Sequence, residues 1–225
     1  MAELLLEAYQ NASVRIDMPL QAAPKAGQFI QAWTPHDELA VVPISLFATT
    51  PPERRPGTEI SFSCLAELPE SWQPGTELLL HGPLGRGFEL PRRSQRVALA
   101  ALGSSPGRLL PLVQPALQQR AEVVLCCDAQ VRELPLAVEV RSLDFLVEAL
   151  RWADFVAVDA PLEELDTLSG LLSRIPRAIS GQALVFSPMP CGGMAQCGVC
   201  SLTTRSGVRL ACEDGPVLEL SQLVS

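Results

Sequence analysis

Apolar and polar positions alternate in short stretches over the first ninety residues. "SVRIDMPL" sets Val14, Ile16, Met18 and Leu20 to one side, and "TEISFSC" does the same with Ile60, Phe62 and Cys64. A period of two marks a strand with one buried face. Turn-forming clusters separate the stretches: "PKAGQ", "TPHDE", "TTPPERRPG" and "QPGT". Closely spaced strands with this punctuation predict a small antiparallel barrel over residues 1–94.

From residue 96 the pattern changes. "RVALAALG" is a continuous apolar run, as in a strand covered on both faces. "SSPGRLLPLVQPALQQ" predicts a helix with Ser105 as N-cap and Pro106 at its first position. Pro111 and Pro115 argue against a straight one. "AEVVLCC" is the next strand, "SLDFLVEALRW" a helix, "DFVAVDA" a strand. Leu162, Leu165, Leu168, Leu171, Leu172 and Ile175 then share one helical face. Acidic Glu163 and Glu164 open that helix, and Arg174 and Arg177 close it, as its dipole prefers. "QALVFS" is a last strand. Strand and helix in alternation predict a parallel α/β sheet over residues 95–187. Residues 188–225 form a tail of different texture. The fold class is therefore α+β and multidomain.

Composition narrows the function. The 225 residues carry 48% apolar side chains and a formal net charge of −8, with one lysine, Lys25. Nucleic acid, which wants a clustered basic face, is not an expected partner. No apolar run approaches the roughly 20 residues of a membrane span. The N-terminus lacks the pattern of a secretory leader, so a cytoplasmic location with reduced thiols is expected. There, clustered cysteines point to metal or redox chemistry more than to disulfides. His36 and His81 are the only histidines, and neither sits in a nucleophile–base pattern.

The tail holds such a cluster. In "PCGGMAQCGVC" and "ACEDGPV", Cys191, Cys197, Cys200 and Cys212 follow the spacing C-x5-C-x2-C-x11-C. A plant-type [2Fe-2S] loop is C-x4-C-x2-C with a distant fourth cysteine, one residue shorter. The glycines Gly192, Gly193 and Gly198 let a loop wrap closely and aim N–H groups at sulfur. The fourth cysteine follows a hairpin, "CSLTTRSGVRLAC", with its turn at Ser206–Gly207. Structural zinc is the competing reading, but zinc ribbons usually offer two C-x2-C knuckles and this chain has one. Cys64, Cys126 and Cys127 lie in apolar strands and are expected to be core residues.

The whole set resembles one family. "MPCGGMAQCGVC…ACEDGPVLEL" resembles the cluster-binding tail of dihydroorotate dehydrogenase electron transfer subunits, where an acidic residue and Gly-Pro-Val follow the last cysteine. "AGQFIQAWTP" resembles that family's early barrel strand. "VPISLF" resembles its Arg-Pro-x-Ser flavin motif, and "LHGPLGRGFELP" the end of its flavin barrel. The resemblance implies a ferredoxin-reductase-type fold: an FAD-binding-like barrel, an NAD-binding-like domain and a [2Fe-2S] tail. It implies FAD contacts at Pro43, Ile44, Ser45, Gly82, Pro83, Gly85 and Arg86, and cluster ligands at Cys191, Cys197, Cys200 and Cys212. It also implies docking on a partner flavoprotein dehydrogenase and a place in pyrimidine biosynthesis.

Two departures matter. Val42 stands where the family has an arginine for the flavin pyrophosphate, so retention and loss of FAD are both open at this point. "LGSSPGRLLP" replaces the glycine-rich nucleotide turn, with Gly103 and Gly107 remaining, so NAD(H) is not expected to bind. The expected function is electron transfer through the cluster, with no acid, base or nucleophile of the protein's own. The alternative is a degenerate reductase fold kept as a binding module, with a structural metal and no redox role.

Overall fold

The computed structural model describes residues 3–6, 12–35, 43–49, 59–63, 68–103, 105–131, 134–175 and 179–223. Cys64 and His36 lie outside these residues, as do parts of two turn clusters.

The first sheet is antiparallel and six-stranded. Its strands are β1 (Glu3–Leu6), β2 (Ala12–Asp17), β3 (Phe29–Trp33), β4 (Ile44–Ala48), β5 (Glu59–Ser63) and β6 (Leu79–Leu84), in the order β1-β2-β5-β4-β3-β6. Among the described residues the pairings run from β1 to β6 with no closing pair between them. Alternation sorts the two faces. Val14, Ile16, Ile30, Ala32, Leu46 and Ala48 pack with Met18 and Trp72 into one small core. Phe29 and Phe47 point the other way and join the core of the second sheet.

The second sheet is mixed. It contains β7 (Arg96–Ala101), β8 (Glu122–Cys126), β9 (Val138–Arg141), β10 (Phe155–Pro161), β11 (Gly181–Phe186) and, from the tail, β14 (Val217–Glu219). The order is β14-β11-β10-β7-β8-β9; β14 runs antiparallel to β11 and the other pairs are parallel. The apolar runs behave as a sheet covered on both faces requires: every residue of β10 and β11 is buried. Helices α1 (Val113–Gln118), α2 (Leu146–Trp152) and α3 (Leu165–Ser173) cover it, each entered through a 3-10 turn. The prolines explain the first entry. Pro106–Leu112 is 3-10, with Ser105 Oγ accepting from the Gly107 N–H, and α-helix begins only at Val113. On α3 the leucine stripe faces inward, with Leu168 and Leu172 buried.

The tail adds a two-stranded hairpin, β12 (Ser201–Thr204) and β13 (Gly207–Leu210), then β14 and a short helix α4 (Leu220–Leu223). Thr204 pairs with Gly207, so the turn is Arg205–Ser206, one residue earlier than the pattern implied. Among the described residues no helix is long and apolar enough to cross a membrane.

Candidate functional site

The cysteine loop lies between the end of β11 and the hairpin. Cys200 and Cys212 are buried, Cys191 is partly exposed and Cys197 is exposed. The hairpin returns the chain so that the Ala211 N–H donates to the Cys200 carbonyl at 3.0 Å. That bond brings the neighbouring Cys212 sulfur to 3.3 Å from the Cys200 sulfur. The Cys197 side chain lies close enough to Cys191 to help lower its thiol. Among the described residues no group of three or more His, Cys, Asp or Glu side chains is arranged to hold a metal ion.

The backbone favours negative charge at Cys191, while burial opposes it at Cys212. N–H groups of Gln196, Cys197 and Met194 point at the Cys191 sulfur, with Gln196 the strongest, and lower its thiol to about 6. Burial pushes the Cys212 thiol up to about 12, the neighbouring Cys200 adds to this, and the Ala195 N–H opposes it. Ala195 adopts φ 57, a left-handed conformation uncommon outside glycine, in the stretch that aims these amides. Four thiols on one loop and hairpin, with amides favouring a thiolate at Cys191, are the donor set a thiolate-held group would need. Cys126 and Cys127 are different. Both are buried core residues, and desolvation raises Cys126 to about 12.

The loop rests on the first sheet, against the residues expected to hold flavin. A Cβ on Gly192 would lie 3.1 Å from Pro43 Cγ, and one on Gly193 would lie 3.4 Å from Phe29 Cζ. Ser45 on β4 is partly exposed and accepts from Gln31 Nε2 at 2.9 Å. Register then carries the row across the sheet, because Gln31 faces Ser45 on one side and His81 on the other. Gln31 is 1% exposed, and its Oε1 has no partner. Sequence reasoning missed this residue; the signal was a polar side chain inside the apolar stretch "FIQAW".

Gly82, Pro83 and Arg86 are exposed, and Ile44 is partly exposed. Gly85 is partly exposed. The segment after Cys212 sits on it: a Cβ there would meet Pro216 Cδ at 2.6 Å and the Gly215 carbonyl at 2.8 Å, at φ +72. The β4 and β6 stretches flank β3 from opposite sides. Ile44, Ser45, Gly82, Pro83 and Arg86 keep exposed surface, and the buried Gln31 holds Ser45 from behind. Pro43 and Gly85, partly exposed like Ile44, each have the tail packed on one side.

The same segment ties the two sheets. The Arg86 N–H donates to the Gly215 carbonyl at 2.5 Å, and the Val185 N–H to the Pro216 carbonyl at 2.8 Å. Gln182 of β11 bridges further, accepting from the Glu89 N–H and donating to Glu219.

With this geometry the chain can be compared with known proteins. No family profile matches it. Among solved structures it is similar to an NADH-dependent reduced ferredoxin–NADP oxidoreductase described for flavin-based electron bifurcation. That match has TM-score 0.75 and 16% identity, over 98% of this chain and 87% of the other. A cytochrome P450 reductase from Amycolatopsis matches with TM-score 0.56 and 15% identity, over 80% of this chain and 66% of that one. The ferredoxin reductase of carbazole 1,9a-dioxygenase matches with TM-score 0.56 and 19% identity, over 78% and 64%. The chain thus spans just under two thirds of the latter two. Its antiparallel sheet and mixed α/β sheet are those of the ferredoxin-reductase-like fold.

Proposed function

We propose that this chain is an electron-transfer subunit. Cys191, Cys197, Cys200 and Cys212 hold a [2Fe-2S] cluster, and electrons pass through it to or from a partner flavoprotein dehydrogenase, of the kind that oxidises dihydroorotate. The observation that carries the reading is the Cys200 and Cys212 sulfurs 3.3 Å apart, beside a Cys191 sulfur that the Gln196, Cys197 and Met194 amides favour as thiolate. The cluster, when bound, supplies one-electron transfer, and its potential follows from sulfur hydrogen bonds and exposure.

The chain's own residues do the rest. Gln196, Cys197 and Met194 stabilise anionic sulfur at Cys191 through their amides. Burial of Cys200 and Cys212 keeps water from one side of the site, and the exposed Cys197 side faces outward for a partner. FAD belongs to the proposal at the surface formed by Ile44, Ser45, Gly82, Pro83 and Arg86, with Gln31 behind it. The likeness in fold to flavin-dependent reductases supports this. A cytoplasmic setting accompanies the proposal, since clustered thiols stay reduced there.

Purification without oxygen, with iron, zinc and released flavin measured on one sample, tests it. About two irons per chain, with visible bands that bleach on reduction, are expected. One zinc and no colour would instead make the chain a binding module with a structural metal.

A further inference from the structure

The strand order of the second sheet reverses between β7 and β10. From β7 the chain builds outward through β8 to β9, then returns to build β10 and β11 on the other side. At such a switch point the carboxyl ends of two neighbouring strands diverge, and open parallel sheets bind their ligands in that crevice.

Here the crevice holds the chain's own side chains. Arg108, in the turn after β7, forks onto Asp159 of β10: Nε to Oδ2 at 2.8 Å and Nη2 to Oδ1 at 3.0 Å. Arg108 is 1% exposed and Asp159 0%. The guanidinium lies 3.6 Å from the ring centre of Phe186 at the end of β11, and 5.9 Å from that of Phe47 on β4. The first sheet thereby closes the crevice from outside. The two glycines left from the nucleotide turn are covered too. A Cβ on Gly103 would lie 3.4 Å from Glu164 Cγ, and one on Gly107 would lie 3.0 Å from Thr49 Cγ2.

We propose that the second sheet carries an internal occupant at its dinucleotide position: Asp159 takes the Arg108 fork that a ligand phosphate would need. The chain then takes neither NAD(H) nor NADP(H). In the relay reading, on which this last clause rests, both electron partners are proteins. A pyrophosphate would have to displace a buried bidentate carboxylate, pass a second carboxylate at Glu164 and approach a chain of net charge −8. Among the described residues, Arg108 is a cation placed at this crevice, and it is already paired.

The test has two arms on the full chain. In the first, NADH and NADPH are titrated into wild-type protein and followed by nucleotide fluorescence, with ADP as competitor. No saturation below about 1 mM is expected; micromolar binding that ADP competes would overturn the proposal. In the second, Asp159→Asn frees Arg108 without changing side-chain size. Its melting temperature is expected to rise with added pyrophosphate, while wild type and the double variant Arg108→Met/Asp159→Leu show no rise. If Asp159→Asn folds poorly, recovery of folded protein on refolding with pyrophosphate gives the same readout. Absence of any pyrophosphate effect on Asp159→Asn sinks the idea of an internal occupant. Neither arm depends on iron or flavin, so failure of the relay reading would show separately in the metal analysis.

Discussion

The Arg86 backbone N–H meets the Gly215 carbonyl at 2.5 Å, and this contact fixes the cysteine tail to the first sheet. Beneath it, Gly85 has no room for a side chain, because Pro216 Cδ would lie 2.6 Å from its Cβ. Gly85→Ala therefore combines a left-handed backbone with overpacking and should cost about 1–3 kcal/mol. For a domain of this size that is a fall of roughly 2–12 °C in melting temperature. Gly170→Ala is the contrast. It lies in α3, and nothing stands within 4 Å of its Cβ. Calorimetry should find it more stable than wild type by about 0.4–1 kcal/mol.

Removing one of the four sulfurs should empty the site. Cys197→Ser and Cys212→Ser are expected to lose the iron and the visible bands, and to melt earlier, since a group bound to the folded state stabilises it. Cys126→Ala serves as control: Cys126 is buried in β8, and its loss should leave the iron content unchanged. Iron retained in Cys197→Ser at the wild-type level would remove that residue from the ligand set.

The buried ion pair gives a stability prediction of its own. Arg108→Met leaves Asp159 charged or protonated without a partner and should cost about 3–5 kcal/mol in denaturant unfolding. Burial already raises the Asp159 carboxyl above its ordinary range, against the pull of Arg108. Arg108→Met/Asp159→Leu removes both groups and should recover most of the loss. A double variant as unstable as the single would show that the guanidinium acts by packing on Phe186, not by pairing.

Gln31 separates structure from binding. Its unpartnered Oε1 is a buried carbonyl oxygen, a liability of about 1–3 kcal/mol. Gln31→Leu should stabilise the flavin-free chain and weaken FAD binding, read by flavin fluorescence on titration. Unchanged FAD affinity in this variant would show that its bond to Ser45 does not position that residue for flavin.

Much of the second sheet was legible because continuous apolar runs have few alternatives: β7, β8, β10 and β11 all fall on such runs. Two strands were not read. β9 is a four-residue edge strand, "VEVR", whose charges look like a loop. β14 is three residues long and exists through its pairing with β11. Ser105 and Pro106 marked the start of a helical segment correctly, and the prolines behind them explain its 3-10 first half. In the site, the four cysteines and their glycines were readable from local spacing. Their rest against Pro43 and Phe29 was not, because that contact joins residues about 150 positions apart. Arg108 and Asp159 carried a signal that went unused. An aspartate inside "FVAVDAP", a strand buried at every residue, requires a buried partner.

The most direct test of the central claim is electron paramagnetic resonance of the chain purified without oxygen and reduced with dithionite. A two-iron cluster that accepts one electron leaves one unpaired spin. The account predicts about one spin per chain in the wild type and none in Cys197→Ser. A chain with full occupancy of zinc and no spin signal would contradict it.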